Sequence, residues 1–462
     1  MLKRIISLVM VLMILLGVCA CSSSNETKDT KNIKDKKTLS IALLYNERLT
    51  EIAISKFEAE HPNIKVEVKD YEGAFSDAKL SSSTVEDEHN RCKQAQENYK
   101  KTINTALMAG NGPDIIDTSV SILPYRKLAE KNVLANMSEL IKNDKNFDIS
   151  NYQQNLLNAC KYKDNLYIMP INFSIINTLG MNKNTMNKEG IKIDSNKWTW
   201  EEFFNIAKKI NKDINRDGKI DQYALPKMLA RELFQYIYIN ENFIDYDNKT
   251  AKFDSKEFIE LLKFVKDFPT ETVCSPTMGR TELNERTDPG TIGFIPVELQ
   301  GYSNFSYNQA VFNGEVEYLN MPLYNGKRNA KSFELYRSFA INEKSELKEE
   351  AWEFIKVLLC DEVQTSADNH GFPVNLFALS EQAGLDLGNN SNFYEGRNVK
   401  ALTLSDVDMI NKMMGEIETI DYSEDKADKI VVNGADEFFT GKKTAEEAAK
   451  QIQNKINIYL GE

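Results

Sequence analysis

The chain is 462 residues long and carries 57 Lys and Arg against 69 Asp and Glu, a formal net charge of −12. So acidic a body argues against nucleic acid as a partner and favours solubility beside an anionic membrane, and the length suffices for two domains of ~100–200 residues each. The three histidines, His61, His89 and His370, are scattered and show no HExxH-type spacing, which argues against a catalytic zinc site.

Lys3 and Arg4 precede an almost wholly apolar run from Ile5 to Val18. That run is shorter than the ~20 residues a comfortable membrane span needs, and a basic start followed by a short apolar stretch and small residues marks an export signal. Val18-Cys-Ala-Cys21 reads as a lipobox in which Ala20 precedes the cysteine to be lipidated, Cys21; Cys19, preceded by Val18, fits less well. Two acyl chains on Cys21, at ~0.8 kcal/mol per buried methylene, would hold the protein at the membrane. Residues 1–20 are thus a lipoprotein signal peptide and 21–37, with almost nothing to bury, a flexible tether. Cleavage removes Lys3 and Arg4 and no acid, so the exported part moves from −12 to −14. Cys92, Cys160, Cys274 and Cys360 stay in the body without the close spacing of a disulfide framework. Cys160 and Cys360 lie among apolar helical positions and read as buried thiols.

Leu39–Tyr45 is an apolar opening strand. Asn46 is placed to cap a helix whose stripe is Leu49, Ile52, Ala53 and Phe57. Ile64, Val66 and Val68 then alternate with charged residues in a second strand, completing a βαβ unit. The loop Tyr45-Asn46-Glu47 leaves the carboxyl end of the first strand, the end at which open α/β sheets bind ligands. Ser76 to Asn98 is polar and reads as a surface loop entering a helix over 99–108, which Gly110-Asn-Gly-Pro113 stops. Asp114-Ile-Ile-Asp117 is a short buried strand, with Asp114 as a structural turn residue, and Thr118, Ser119 and Ser121 follow at its carboxyl end.

Tyr162 to Lys183 reads as a hairpin and then a long strand, with Phe173 either stacking on a ligand or packing in the core. Thr199 and Glu202 form a capping box opening a helix whose inner face is Phe203, Ile206, Ala207 and Ile210; Trp198 and Trp200 are core. Asp213, Asn215, Asp217, Lys219 and Asp221, with Gly218 at the sixth position, match an EF-hand calcium loop at positions 1, 3, 5, 7 and 9. Position 12 is Ala224, where a bidentate Glu belongs, so the loop is either a structural calcium site of ~10⁻⁴ M or weaker or a solvated turn. Asp254 to Glu257 starts a helix carrying Phe258, Leu261, Leu262 and Val265, and Ser332 to Asn342 is a second long strand. Thr444 and Glu447 cap a closing helix lined by Ala445, Ala448, Ala449, Ile452, Ile456 and Tyr459.

Several of these segments, in this order, resemble the family-1 extracellular solute-binding proteins, the maltose-binding-protein-like sugar-binding subunits of ABC importers. They are Ala109-Gly-Asn-Gly-Pro-Asp-Ile115, the Tyr162–Lys183 hairpin and strand, Thr199-Trp-Glu-Glu202, Thr291–Tyr302, the helix after Ser345 and His370-Gly-Phe-Pro-Val-Asn375. The resemblance implies an α/β, two-lobe periplasmic-binding-protein fold (type II) with three interlobe crossings: residues 38–170 and 336–373 in lobe 1, 171–335 and 374–462 in lobe 2. It also implies ligand contacts from Thr118 and Ser119, from Arg231 and Phe234 on the cleft wall, and from Glu298, Gln300 and Tyr302. The implied protein is an extracytoplasmic, lipid-anchored monomer that binds a small solute, a mono- or oligosaccharide first, hands it to a membrane permease and needs no cofactor. Two other classes use similar features: a surface-tethered glycan hydrolase, for which no GxSxG or Cys/His pattern speaks, and a ligand-sensing lipoprotein serving a sensor kinase.

Overall fold

In the computed structural model, residues 36–71, 85–119, 123–238, 241, 243–246, 248–275, 292–326, 331–388, 399–420 and 426–461 are described. The signal, Cys21, most of the tether and Ser121 lie outside them. The opening unit forms as the pattern predicts: β1 (Lys37–Leu43), a helix over Arg48–Glu60 and β2 (Ile64–Asp70). The helix's N-cap is Glu47 rather than Asn46, whose amide instead donates to Glu51 at 3.2 Å. The next helix is longer than expected, running over Val85–Ala109. Ala95, Tyr99, Ile103 and Leu107, four residues apart, are all buried and form one continuous stripe. It leads into β3 (Ile115–Asp117), parallel to β1 with Ile41 opposite Ile115.

Asp114 is structural, as expected. Its carboxylate accepts from Ser40 N and Oγ at 2.8 and 2.6 Å and from Ser345 Oγ at 2.6 Å, tying the first strand to the segment after the return strand.

Two long strands organise the sheet. β4 (Met169–Asn182) pairs with β9 (Lys331–Ile341) over Met169–Ile176 and with the short β10 (Phe372–Pro373) at Asn172 and Phe173. From there its partners change: β7 (Phe294–Leu299) takes over at Ile175–Met181 and β8 (Val316–Asn320) at Thr178–Asn182. Asn177 stands at the changeover with φ +55°, within the register irregularity against β7. β9 also pairs antiparallel with β3 and parallel with β11 (Ile417–Ile420), which gives the order β10-β4-β9-β3-β1-β2 with β7, β8 and β11 at the sides. β5 (Ile244–Asp245) and β6 (Thr250–Ala251) form a separate hairpin.

Residues 38–462 form one compact unit holding two hydrophobic cores. The first gathers the β1–β3 side with Trp352, Phe354 and Ile355; the second gathers Trp198, Trp200, Phe203 and the closing helices over Lys426–Phe439 and Ala445–Gly461. β4 feeds both: Ile171, Phe173 and Ile175 into the first, Leu179 and Met181 into the second. The expected lobe limit at 170/171 falls within β4, and that at 335/336 within β9, whose buried apolar residues all lie in the first core. Leu379, Ala383, Val407 and Ile410, placed by the sequence in lobe 2, pack into the first core. Both expected capping boxes are present. Thr199 N donates to Glu202 at 2.8 Å and Thr444 N to Glu447 at 2.9 Å, each answered at 3.2 Å by the glutamate's N–H donating to the threonine hydroxyl. Cys160 and Cys274 are buried and Cys360 half-buried; Cys92 is exposed, and none of the four is in a disulfide. Burial pushes the Cys274 thiol up to about 12.

Candidate functional site

The carboxyl ends of β1 and β3 meet β9 at one buried cation. Arg337 is 1% exposed, and its guanidinium divides three ways. Nη1 donates to Asp117 at 2.7 Å, Nε to Glu47 at 2.9 Å and Nη2 to the Tyr45 carbonyl at 2.9 Å. The same guanidinium lies 4.4 Å from the centre of the Tyr45 ring. A planar fork of fixed donors suits this division, because each donor has its own acceptor in a different segment.

Asp117 is as deeply buried as Arg337 and is further satisfied by the N–H groups of Leu44 at 3.3 Å and Ser119 at 2.9 Å and by the Ser119 hydroxyl. Thr118 Oγ1 and Ser338 Oγ are 2.8 Å apart, and Tyr99 donates to the Asp117 carbonyl at 2.6 Å. Burial works against the Arg337 charge, but Asp117 and Glu47 more than offset it, so its pKa is raised. Burial also raises the phenols of Tyr45 and Tyr336, which keeps both protonated and able to donate.

The outer face of this frame is a rim of amphipathic groups. Tyr45, Glu47 and Tyr336 are half-buried, and Asn46 and His370 are exposed. Tyr336 Oη donates to Glu47 at 3.4 Å, and its ring meets His370 edge-on with centroids 6.3 Å apart. His370 is held from behind, since Asn172 Nδ2 donates to its carbonyl at 2.5 Å and to Asn369 at 2.7 Å. Phenols, a carboxylate and an amide beside aromatic faces supply the donors, acceptors and stacking surface that a polyhydroxylated solute requires.

The structure places Tyr45, Asn46 and Glu47 together at this rim and sets the other expected contacts elsewhere. Thr118 and Ser119 are buried and spend their polar groups on Ser338 and Asp117. Phe173 is fully buried between Phe333 and Phe372, on the inner side of β4. Phe234 lies on the inner face of the Ala230–Tyr238 helix, stacked on Tyr238 at 5.2 Å, while Arg231 is on its exposed face. Tyr302 is buried against Phe372, with its hydroxyl donating to Asn411 at 2.5 Å. Glu298 and Gln300 pair with each other at 3.0 Å at the end of β7. Arg337, Asp117, Tyr336 and His370 are the groups the sequence reading did not single out. A cation in the middle of β9, among Phe333, Leu335, Phe339 and Ala340, was the available signal for the first.

The Asp213–Asp221 loop is exposed and turned on itself. Asp213 accepts from Asp217 N at 3.2 Å and Gly218 N at 2.8 Å, and Asp221 accepts from Ile214 N at 3.0 Å and Asn215 N at 3.1 Å. Lys219, the backbone-ligand position, donates its N–H to Asp217 at 2.9 Å. Ala224, at the position of the missing twelfth ligand, is buried in the second core. Among the described residues no group of three or more His, Cys, Asp or Glu is arranged to hold a metal ion.

Residues 45–268 match the family of bacterial extracellular solute-binding proteins. Solved structures share the fold at low identity. An ABC substrate-binding protein from Listeria monocytogenes in complex with cycloalternan is 18% identical, with 92% of this chain and 100% of that one covered at a TM-score of 0.57. The maltose/maltodextrin-binding domain MalE from Bdellovibrio bacteriovorus, bound to maltotriose, is 16% identical over 92% and 100% at 0.54. An ABC transporter solute-binding protein from Thermotoga lettingae, bound with alpha-D-tagatose, is 21% identical over 92% and 100% at 0.53. All three have the two-lobe α/β architecture. Among the described residues no helix is long and apolar enough to cross a membrane.

Proposed function

We propose that this chain, which belongs to the bacterial extracellular solute-binding proteins, is the lipid-anchored binding subunit of an ABC importer and closes on a mono- or oligosaccharide. The family binds its substrate without converting it, and its place is outside the cytoplasm. The observation that carries the reading is the frame around Arg337. It spends a buried charge network on holding Tyr45, Glu47 and their neighbours still at the carboxyl ends of β1 and β3, the ligand end of an open α/β sheet. The sugars named with three structural neighbours support the choice of solute class. β4 and β9, which link the two halves of the sheet, offer the hinge for closure, and Asn177 is the residue at which β4 changes partners.

A ligand that binds only the native state raises stability by mass action, roughly 2.7 kcal/mol at one hundred times Kd. A thermal-shift screen of the exported chain is expected to find at least one sugar that raises the melting temperature by several degrees. That rise should be lost in Tyr336→Ala, and a screen in which only peptides respond would overturn the choice of solute. Anchoring is tested by palmitate labelling of the full chain in a bacterial host. Label is expected on the native protein and absent from Cys21→Ala; equal label on both would refute the lipobox reading.

The 213–221 loop serves on this reading as a self-bonded turn. A calcium site of ~10⁻⁴ M would add roughly 1.4 kcal/mol of stability in millimolar calcium. Melting temperatures in calcium and in chelator are expected to agree within about a degree, and a rise of several degrees would restore the metal site.

A further inference from the structure

The segment 369–373 reaches the rim with its backbone gripped by two carboxamides and one side chain left over. Asn172 on β4 is 1% exposed; its Nδ2 donates to the His370 carbonyl at 2.5 Å and to Asn369 Oδ1 at 2.7 Å, and Asn369 donates in turn to the Gln364 carbonyl at 2.8 Å. From a second element, the Leu376–Asp386 helix, Gln382 Nε2 donates to the Gly371 carbonyl at 3.0 Å. Gly371 takes φ +95°, and a Cβ there would stand 3.0 Å from the Phe173 carbonyl oxygen, so the turn needs glycine. Phe372 is fully buried, with Phe173 and Tyr302 at ring-centre distances of 5.7 and 5.4 Å. His370 is the exception. It is exposed, its ring meets that of Tyr336 edge-on, and neither ring nitrogen has a hydrogen-bond partner among the described residues.

The two carboxamides are poorly employed as stabilisers. Asn172 Oδ1 and Gln382 Oε1 are both buried with no partner among the described residues. An acceptor stripped of water and left unpaired costs at least as much as one intramolecular hydrogen bond contributes. Gln382 gains one bond and forfeits one acceptor, a balance that adds little to stability; Asn172 gains two and forfeits one. What the amides supply that an apolar side chain of the same shape would not is direction. They fix the carbonyls of two successive residues behind an imidazole that, when neutral, has one donor and one acceptor to offer.

We propose that Asn172 and Gln382 are positioning residues that aim the His370 imidazole at a solute held on the Tyr45–Glu47–Tyr336 rim, where its ring nitrogens exchange hydrogen bonds with the solute's hydroxyl groups. The solute part rests on the function proposed above; the positioning of the ring stands on the geometry of this segment alone. Both amides act on affinity through His370. A binding group already held by its supports has less freedom to lose when it engages a solute.

The exported chain is isotope-labelled at its histidine rings and followed by nuclear magnetic resonance. His370→Ala identifies the His370 signal by its loss, and Tyr336→Ala gives the position of that signal without the neighbouring ring. In Gln382→Met and Asn172→Leu the signal is expected to move toward that position, while the signal of His61, whose ring stacks on Phe57 at 4.4 Å, stays where it is. Calorimetry with glucose, galactose, xylose and cellobiose is the second readout. For whichever of the four the native chain holds best, Gln382→Met is expected to weaken binding about five-fold, the worth of one neutral hydrogen bond, and to change nothing in a His370→Ala background. Its melting temperature should stay within about two degrees of the native value. Gln382 is half-buried, so its variant keeps the test valid if Asn172→Leu, in the core, fails to fold. A His370 signal unmoved in Gln382→Met, or an affinity loss of the same size with and without His370, would overturn the proposal. A native chain that binds none of the four sugars removes the solute part while the histidine signal still decides the positioning, which separates this failure from that of the solute assignment.

Discussion

Arg337→Met is expected to destabilise the protein by about 3–5 kcal/mol, the usual cost of removing one partner of a buried ion pair. Asp117 would be left 1% exposed with no cation beside it, in a chain whose total stability is of order 5–15 kcal/mol. Its remaining donors, the N–H groups of Leu44 and Ser119 and the Ser119 hydroxyl, set the result toward the lower end of that range. Arg337→Lys is expected to recover little. A point charge on a flexible stem cannot serve Asp117, Glu47 and the Tyr45 carbonyl at once. Adding Asp117→Asn to Arg337→Met should cost less than the sum of the single changes, because the second change removes the charge the first one orphaned. Urea unfolding of the four proteins measures this cycle. The functional consequence is separate and should exceed the loss of fold: once Tyr45 and Glu47 lose their anchor, sugar affinity should fall even at temperatures where the variant is fully folded. A variant within 1 kcal/mol of the native protein that binds sugar normally would show that the frame does not organise the site.

What the sequence disclosed, and what it withheld, divides along sequence separation. The capping boxes at Thr199 and Thr444 are written within four residues each, and both form. The helix that runs into the Gly-rich turn and the short strand after it, the long strand after Met169 and the structural role of Asp114 were legible for the same local reason. Arg337 was not, since its partners Asp117 and Glu47 lie 220 and 290 residues away and only the pairing of β9 with β3 brings them together. The inward positions of Phe173, which the sequence left open between ligand and core, and of Phe234 and Tyr302 were a matter of direction, not of place in the chain. Each sits in a segment near the expected crevice, yet the face of its strand or helix that turns inward is set by elements distant in sequence. The Val85–Ala109 helix was underestimated because its first turns are polar, and the stripe beginning at Ala95 needs Tyr99 to be counted as apolar.

Phe203→Ala is the second large effect, and it bears on whether the two cores behave as one body. Phe203 is fully buried and packs against Trp198, Trp200, Phe268 and Phe294 at ring-centre distances of 5.8, 5.3, 6.4 and 5.3 Å. Truncating so enclosed a ring costs about 3–5 kcal/mol, through lost transfer energy and the cavity left behind. All of that loss falls on the second core. The first core shares β4, β7 and β8 with it, Phe294 and Leu319 facing the second core and Ile295, Val297, Leu299, Val316 and Tyr318 the first, and would be weakened through those strands. We therefore expect melting of the variant to split into two steps, with the second core opening first, a departure from the single transition that small domains show. The three tryptophans can report it. Trp198 and Trp200 stand in the second core, while Trp352 stands in the first, 5.0 Å from Phe147 and with its indole N–H donating to Asp144 at 3.0 Å. Fluorescence of Phe203→Ala in a Trp352→Phe background follows the second core alone, and far-ultraviolet dichroism follows both. Coincident curves at a lowered melting temperature would mean that the shared strands transmit the damage fully. In that case closure around a solute cannot be a hinge between independently stable halves and must deform a single cooperative body.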